Sequence, residues 1–166
     1  MNLNNFNMNS HFLFPHTFKK IGYILFVPAF IATIAISVFK INIDNYWVIK
    51  VFAFADTFVM TNDKYFTVTQ NGVVDEVILF CLITGGILIG FSKLKIEDEF
   101  TNKIRYESLV WASYLNYALI LFFTIFIFGL SFLNVLFFNT FTLLLFFIIR
   151  FHFIIYKLNK SSSDDE

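Results

Sequence analysis

Long apolar blocks restrict what this chain can fold into. They cover residues 21–39, 77–91, 109–130 and 135–156. A helix that crosses the hydrocarbon core needs about 20 mostly apolar residues. Inside a bilayer the backbone N–H and C=O groups must be satisfied within the protein, and a helix does this within one segment. The blocks therefore predict membrane-crossing helices. Composition agrees. Of 166 residues, 58% are hydrophobic, 26 are phenylalanine and 14% are charged. Soluble domains are about 45–50% apolar and about 25% charged. A chain this short has too much surface to hide such an apolar load from water.

The expected fold is an all-α membrane protein with four transmembrane helices at about 21–40, 74–92, 109–130 and 135–156. An outer loop fills 41–73, a charged cytoplasmic segment 93–108, and a disordered tail 158–166. The second span reaches full length only with its flanks, and a re-entrant or interfacial element is its rival. Asp75 and Glu76 open it. Carboxylates there meet the positive end of the helix dipole, worth about 0.3–1 kcal/mol. The first block exceeds the apolar part of a cleaved leader and reads as an uncleaved span.

Basic residues set the direction. Lys19, Lys20, Lys93, Lys95, Lys103, Arg105, Arg150, Lys157 and Lys160 fall on one side. On the other, Lys40, Lys50 and Lys64 are offset by Asp44, Asp56, Asp63, Asp75 and Glu76. Cytoplasmic loops carry the lysine and arginine excess. Both termini and the charged segment are thus expected in the cytoplasm, with the chain in a bacterial inner membrane. The lipid bilayer is its first expected partner. Net charge is zero, so no whole-chain field draws nucleic acid and none is expected as a direct partner.

Residues 65–69 are aromatic and β-branched, followed by Asn71-Gly72. That pattern suits a strand and a turn. A β-hairpin in the outer loop and a plain interfacial loop are the two readings. Ala29, Thr33 and Ser37 in the first span, and Gly86 and Gly90 in the second, form stripes of small residues, with Cys81 and Gly85 as a second small pair. Such stripes let helices approach closely. An interface between these spans is expected, with a homodimer face as the rival. Pro28 is expected to bend the first span.

A short turn at 131–134 predicts an antiparallel pair of helices. Counting outward from it levels Arg150 with Tyr114, and His152 with Trp111 and Ala112. Asn116 falls within a turn of Arg150. An arginine inside a span is costly and tends to pair or snorkel. An ion pair from Arg150 to Glu107, or to Glu97, Asp98 or Glu99, is expected, with lipid phosphate as the rival.

On a continuous helix Lys95, Glu99, Lys103 and Glu107 align with alternating sign. Ile96, Phe100 and Ile104 form the neighbouring apolar stripe. An amphipathic helix running into the third span is therefore expected. Asp98, Asn102 and Arg105 share another face. Charges balance over 93–107, which argues against a polybasic lipid patch. Neighbouring helical carboxylates diverge, and His11, His16 and His152 are scattered. Neither a metal nor a cofactor is expected. Ser108 lacks the histidine and carboxylate that would activate it. Cys81 is a lone cysteine.

The run KIEDEFTNKIRYESLVWASYLNY, followed by FLNVLFFNTFTLLLFFIIRFHFIIYKL, resembles small uncharacterised four-span membrane proteins of Bacteroidota-type bacteria. The resemblance covers the second half of the chain and implies no catalytic activity. A looser similarity, in the DE…IR pattern, is to small membrane proteins encoded beside helix-turn-helix regulators, and implies a regulatory partner. The function expected is non-enzymatic. It is that of an interaction, assembly or regulatory subunit whose segment 97–109 contacts a protein partner or a second copy. The alternative is a small transporter or channel component using Asn116, Tyr117, Asn139 and Arg150. An intramembrane enzyme would need a metal or nucleophile constellation that the sequence does not offer.

Overall fold

The computed structural model describes residues 12–43, 46–56, 64–95 and 97–164. Its elements are α1 (Thr17–Phe39), β1 (Val48–Asp56), β2 (Lys64–Gly72), α2 (Val74–Gly90), α3 (Glu99–Phe126) and α4 (Leu130–Asp164). The chain is mostly helical, with one small two-stranded sheet. Among the described residues three helices, α1, α3 and α4, are long and apolar enough to cross a membrane. α2 has 17 residues and stops short of that length. Few residues of the three long windows are buried inside the protein. Exposed side chains such as Ile31, Leu121, Phe126 and Phe153 cover them instead. Monomeric soluble proteins rarely expose apolar patches beyond a few hundred Å², so these surfaces suit lipid.

The chain divides into two compact units. The larger takes the first part of α1, the last part of α2, and all of α3 and α4. α3 and α4 form an antiparallel hairpin. The turn between them is not at 131–134 as expected. Ile127 ends α3, its N–H donating to the Phe123 carbonyl at 2.8 Å. Gly129 takes a left-handed φ of +69°, and α4 starts at Leu130. Glycine reaches that conformation without steric cost. The earlier turn moves the cross-hairpin pairing by about two helical turns.

Phe147 and Phe151, fully buried on α4, are the centre of this unit's core, against Ile104 and Ala112 of α3. Their ring centroids lie 6.0 Å apart, and Phe91 reaches Phe147 at 5.2 Å. α1 and α2 meet here through Gly22 and Gly85. A Cβ on Gly85 would come within 2.8 Å of the Phe26 nitrogen and 3.0 Å of the Gly22 oxygen. Gly86 and Gly90, expected against the first span, mainly face α4 instead, at Leu144 and Phe147. The correction follows from helical geometry. Gly85 and Gly86 point about 100° apart, so the adjacent glycines serve different neighbours. Just before α1, the Phe14 N–H donates to the Phe91 carbonyl, and the Lys93 N–H to the Phe14 carbonyl, both at 2.9 Å.

The smaller unit, Val27–Leu82, holds the hairpin. β1 and β2 pair antiparallel from Val48↔Gly72 to Asp56↔Lys64. A hairpin is therefore present, but Asn71-Gly72 is not its turn. Those residues pair with Ile49 and Val48 at the open end, and the Asn71 amide donates to Glu76 at 2.6 Å. Phe52, Phe54 and Phe66 pack edge to face at 5.5 and 5.8 Å. Ala29 and Thr33 are buried, Thr33 donating to the Ala29 carbonyl one turn back, and Ser37 is exposed.

α4 continues to Asp164, so residues 158–164 are helical where a disordered tail was expected. Extending an existing helix needs no new nucleus. The expectations for residues 1–11, Asp44, Asp63, Ile96 and residues 165–166 lie outside the described residues.

Candidate functional site

The charged segment begins with a turn, not with helix. Helical geometry starts at Glu99 because Asp98 caps it, Oδ1 accepting from the Thr101 N–H at 2.7 Å. Lys95 therefore leaves the expected alternating charge row, and the Glu97 side chain reaches back along α3 to Arg105. Glu97 is the hinge of that turn. One carboxylate oxygen accepts from the Leu94 N–H at 2.8 Å, and both accept from Arg105.

Arg105 sits on the buried face of α3, in line with Thr101, Ile104, Ser108, Ala112 and Asn116. Its side chain is 7% exposed and that of Glu97 14%. The guanidinium meets Glu97 at 2.5 Å and Asn102 Oδ1 at 2.9 Å. It reaches the Ser92 carbonyl at 3.4 Å and lies 4.9 Å from the centre of the Phe151 ring. Ser92 is fully buried, its hydroxyl donating to the Leu88 carbonyl. This forked pairing is the geometry in which arginine binds carboxylate most strongly. It joins the end of α2, the turn, α3 and α4 at a single point.

Asp98, Asn102 and Arg105 do not form the single helix face expected of them. Asp98 caps, Asn102 accepts, and Arg105 points inward. Hydrogen bonds from Thr101, side chain first and backbone second, hold the Asp98 carboxyl below its usual range. Its folded value lies under its unfolded value, so the cap contributes fully above the ordinary carboxylate range. That contribution is lost as pH falls through the lowered value. Amide exchange at Thr101 and Asn102, corrected for intrinsic chemistry, is expected to accelerate on that acid side. Asp98→Ala should make exchange there fast and insensitive to pH across the same window.

Arg150 reaches no carboxylate among the described residues. It donates to the Glu107 backbone carbonyl at 3.4 Å and lies 5.2 Å from the centre of the Trp111 ring. The earlier turn at Gly129 accounts for this, bringing Arg150 level with Glu107 and Trp111 instead of Tyr114. The cation and ring face supply the attraction that the ion pair was expected to give. His152 lies against Tyr23, ring centroids 6.3 Å apart, and its Nδ1 donates to the Ile148 carbonyl at 2.9 Å. Asn116 is buried. Its Oδ1, Ser108 Oγ and His152 Nε2 have no hydrogen-bond partner among the described residues.

No known family, curated protein or solved structure matches this chain. No group of three metal-ligating side chains occurs among the described residues. The arrangement around Arg105 is a buried polar clasp, and it leaves the opposite side of α3 free. There Glu99, Phe100, Lys103, Tyr106 and Glu107 are all exposed, Tyr106 at 70%. The residues that sequence reasoning missed are Ser92, Phe151 and Gly22. Ser92 and Phe151 carried no local signal, since their roles depend on a helix end and on the α3–α4 register.

Proposed function

We propose that this chain is a non-enzymatic integral protein of a bacterial inner membrane, an interaction, assembly or regulatory subunit that docks a protein partner on the outward face of α3. The observation that carries this reading is the split of the charged segment. Glu97, Asn102 and Arg105 are consumed inside the clasp. Glu99, Phe100, Lys103, Tyr106 and Glu107 remain outside it, with two signs of charge beside two aromatic rings. Tyrosine and other aromatics are enriched at the centre of protein interfaces, with charge at their rims. In this reading α2 is a fourth span, both termini and the clasp face the cytoplasm, and the hairpin lies outside. The resemblance to small four-span membrane proteins of Bacteroidota-type bacteria is part of the same proposal.

The transporter alternative has less support. Tyr117 is exposed and Arg150 is engaged on Trp111, so its polar residues do not converge on a path. The test is site-specific photocrosslinking in native membranes. A photoreactive residue at Lys103 is expected to give one adduct of defined mass, lost in the Tyr106→Ala/Glu107→Ala variant. The same residue at the lipid-facing Phe122 should give no such adduct. Identical patterns from both positions would overturn the reading.

A further inference from the structure

A second feature lies at the same end of the larger unit. A cleft of about 720 Å³ opens between the start of α1, the turn before α3, and the last part of α4. Its cationic and titratable groups are His16, Lys19 and Lys95, and Phe100, Ile155 and Leu158 form apolar wall. Asp98 also lines it, with its carboxylate engaged on Thr101. His16 Nδ1 is buried and has no hydrogen-bond partner among the described residues. The basic groups come from separate parts of the chain, so no polybasic run announces them.

We propose that this cleft binds the phosphate headgroup of an anionic phospholipid, with the start of an acyl chain along Phe100, Ile155 and Leu158. The charge in the cleft favours an anion, since two lysines face one carboxylate that is already hydrogen-bonded. Arg105 adds no free charge, because Glu97 neutralises it. Lysine ammonium groups bind phosphate as point charges. Apolar wall beside the cations favours an amphiphile over a free anion or an acidic peptide. Lys19 lies two residues inside the start of α1, one of the helices apolar enough to cross a membrane. A headgroup beside it would sit level with the bilayer surface. The inference rests on the chain being an integral membrane protein, but not on the protein partner proposed for α3.

The test is ligand binding to the purified full chain in a zwitterionic detergent, read by native mass spectrometry and by thermal shift. Three probes are compared: a short-chain phosphatidylglycerol, the matching phosphatidylcholine and inorganic phosphate. Saturable binding of phosphatidylglycerol, well above that of the other two, is expected. Near a membrane surface each lysine contributes about fivefold to binding of an anionic lipid. Lys19→Gln/Lys95→Gln should weaken phosphatidylglycerol about 25-fold by the same reckoning, whereas Lys157→Gln, outside the cleft, should not. Lys95 is exposed and outside any helix, so Lys95→Gln alone serves if the double variant does not fold. Equal binding of the two lipids would overturn the proposal. Inorganic phosphate binding as tightly as phosphatidylglycerol would mark a free-anion site and also overturn it. Failure here with successful crosslinking at Lys103 would leave the docking reading standing.

Discussion

Arg105→Ala is expected to destabilise the protein by about 3–5 kcal/mol, the usual cost of breaking a buried ion pair from one side. The guanidinium and the carboxylate are both largely withdrawn from solvent, so the small values typical of exposed pairs do not apply. Removing Arg105 takes its donor from Asn102 Oδ1 and the Ser92 carbonyl, and leaves the Glu97 carboxylate with no counter-charge and only the Leu94 N–H. It also empties the space over Phe151. Arg105→Lys should rescue little, because one ammonium cannot reproduce the planar fork that serves these acceptors together. The double variant Arg105→Met/Glu97→Gln should recover much of the loss, since it leaves no charge unpaired. Thermal unfolding of the purified chain in one detergent reads all of these. Arg105→Ala melting like the native protein would remove the clasp from the account.

The second large effect is expected at Gly85. A Cβ there would press on backbone from both sides, at 2.8 Å from the Phe26 nitrogen and 3.0 Å from the Gly22 oxygen. Backbone cannot rotate away as a side chain can. Gly85→Ala is expected to cost about 1–3 kcal/mol, the range for overpacking, and Gly85→Leu to prevent the α1–α2 contact altogether. Gly90 gives the contrast. Its Cβ would meet the Phe147 ring at 2.5 Å, a clash with a side chain. Gly90→Ala should therefore be relieved in part by Phe147→Leu, whereas no side-chain change should rescue Gly85→Ala. The measurement is again unfolding in detergent, with each single variant beside its double.

Helix content was legible because α1, α3 and α4 are built from apolar runs of span length. Position along the chain was less so. The true turn at Gly129 lies inside an apolar run, whereas Ser131 and Asn134 carry the polar signal. The turn chemistry lay in one glycine's backbone conformation. Counting from the wrong turn moved Arg150 from Trp111 to Tyr114. The partner of Arg105 was hidden for another reason. Glu97 reaches it because Asp98 caps the helix and leaves Glu97 outside it. On one continuous helix the two would have stood about 12 Å apart along the axis. Gly22 and Gly85 are distant in sequence, and no local spacing joins them. The hairpin was legible in its aromatic and β-branched residues. Its register was not, because Asn71-Gly72 has turn composition but sits at the open end.

The proposed topology has α2 crossing the membrane as a fourth span, so that Lys103 is cytoplasmic and Thr67 is not. Cysteine accessibility tests it most directly, in a Cys81→Ser background. Thr67→Cys and Lys103→Cys, each introduced alone, are treated with a membrane-impermeant maleimide on intact cells and again after the inner face is opened. The account predicts that Thr67→Cys reacts in intact cells and that Lys103→Cys reacts only after opening. Both positions reacting from the same side would show that α2 does not cross, and would contradict it.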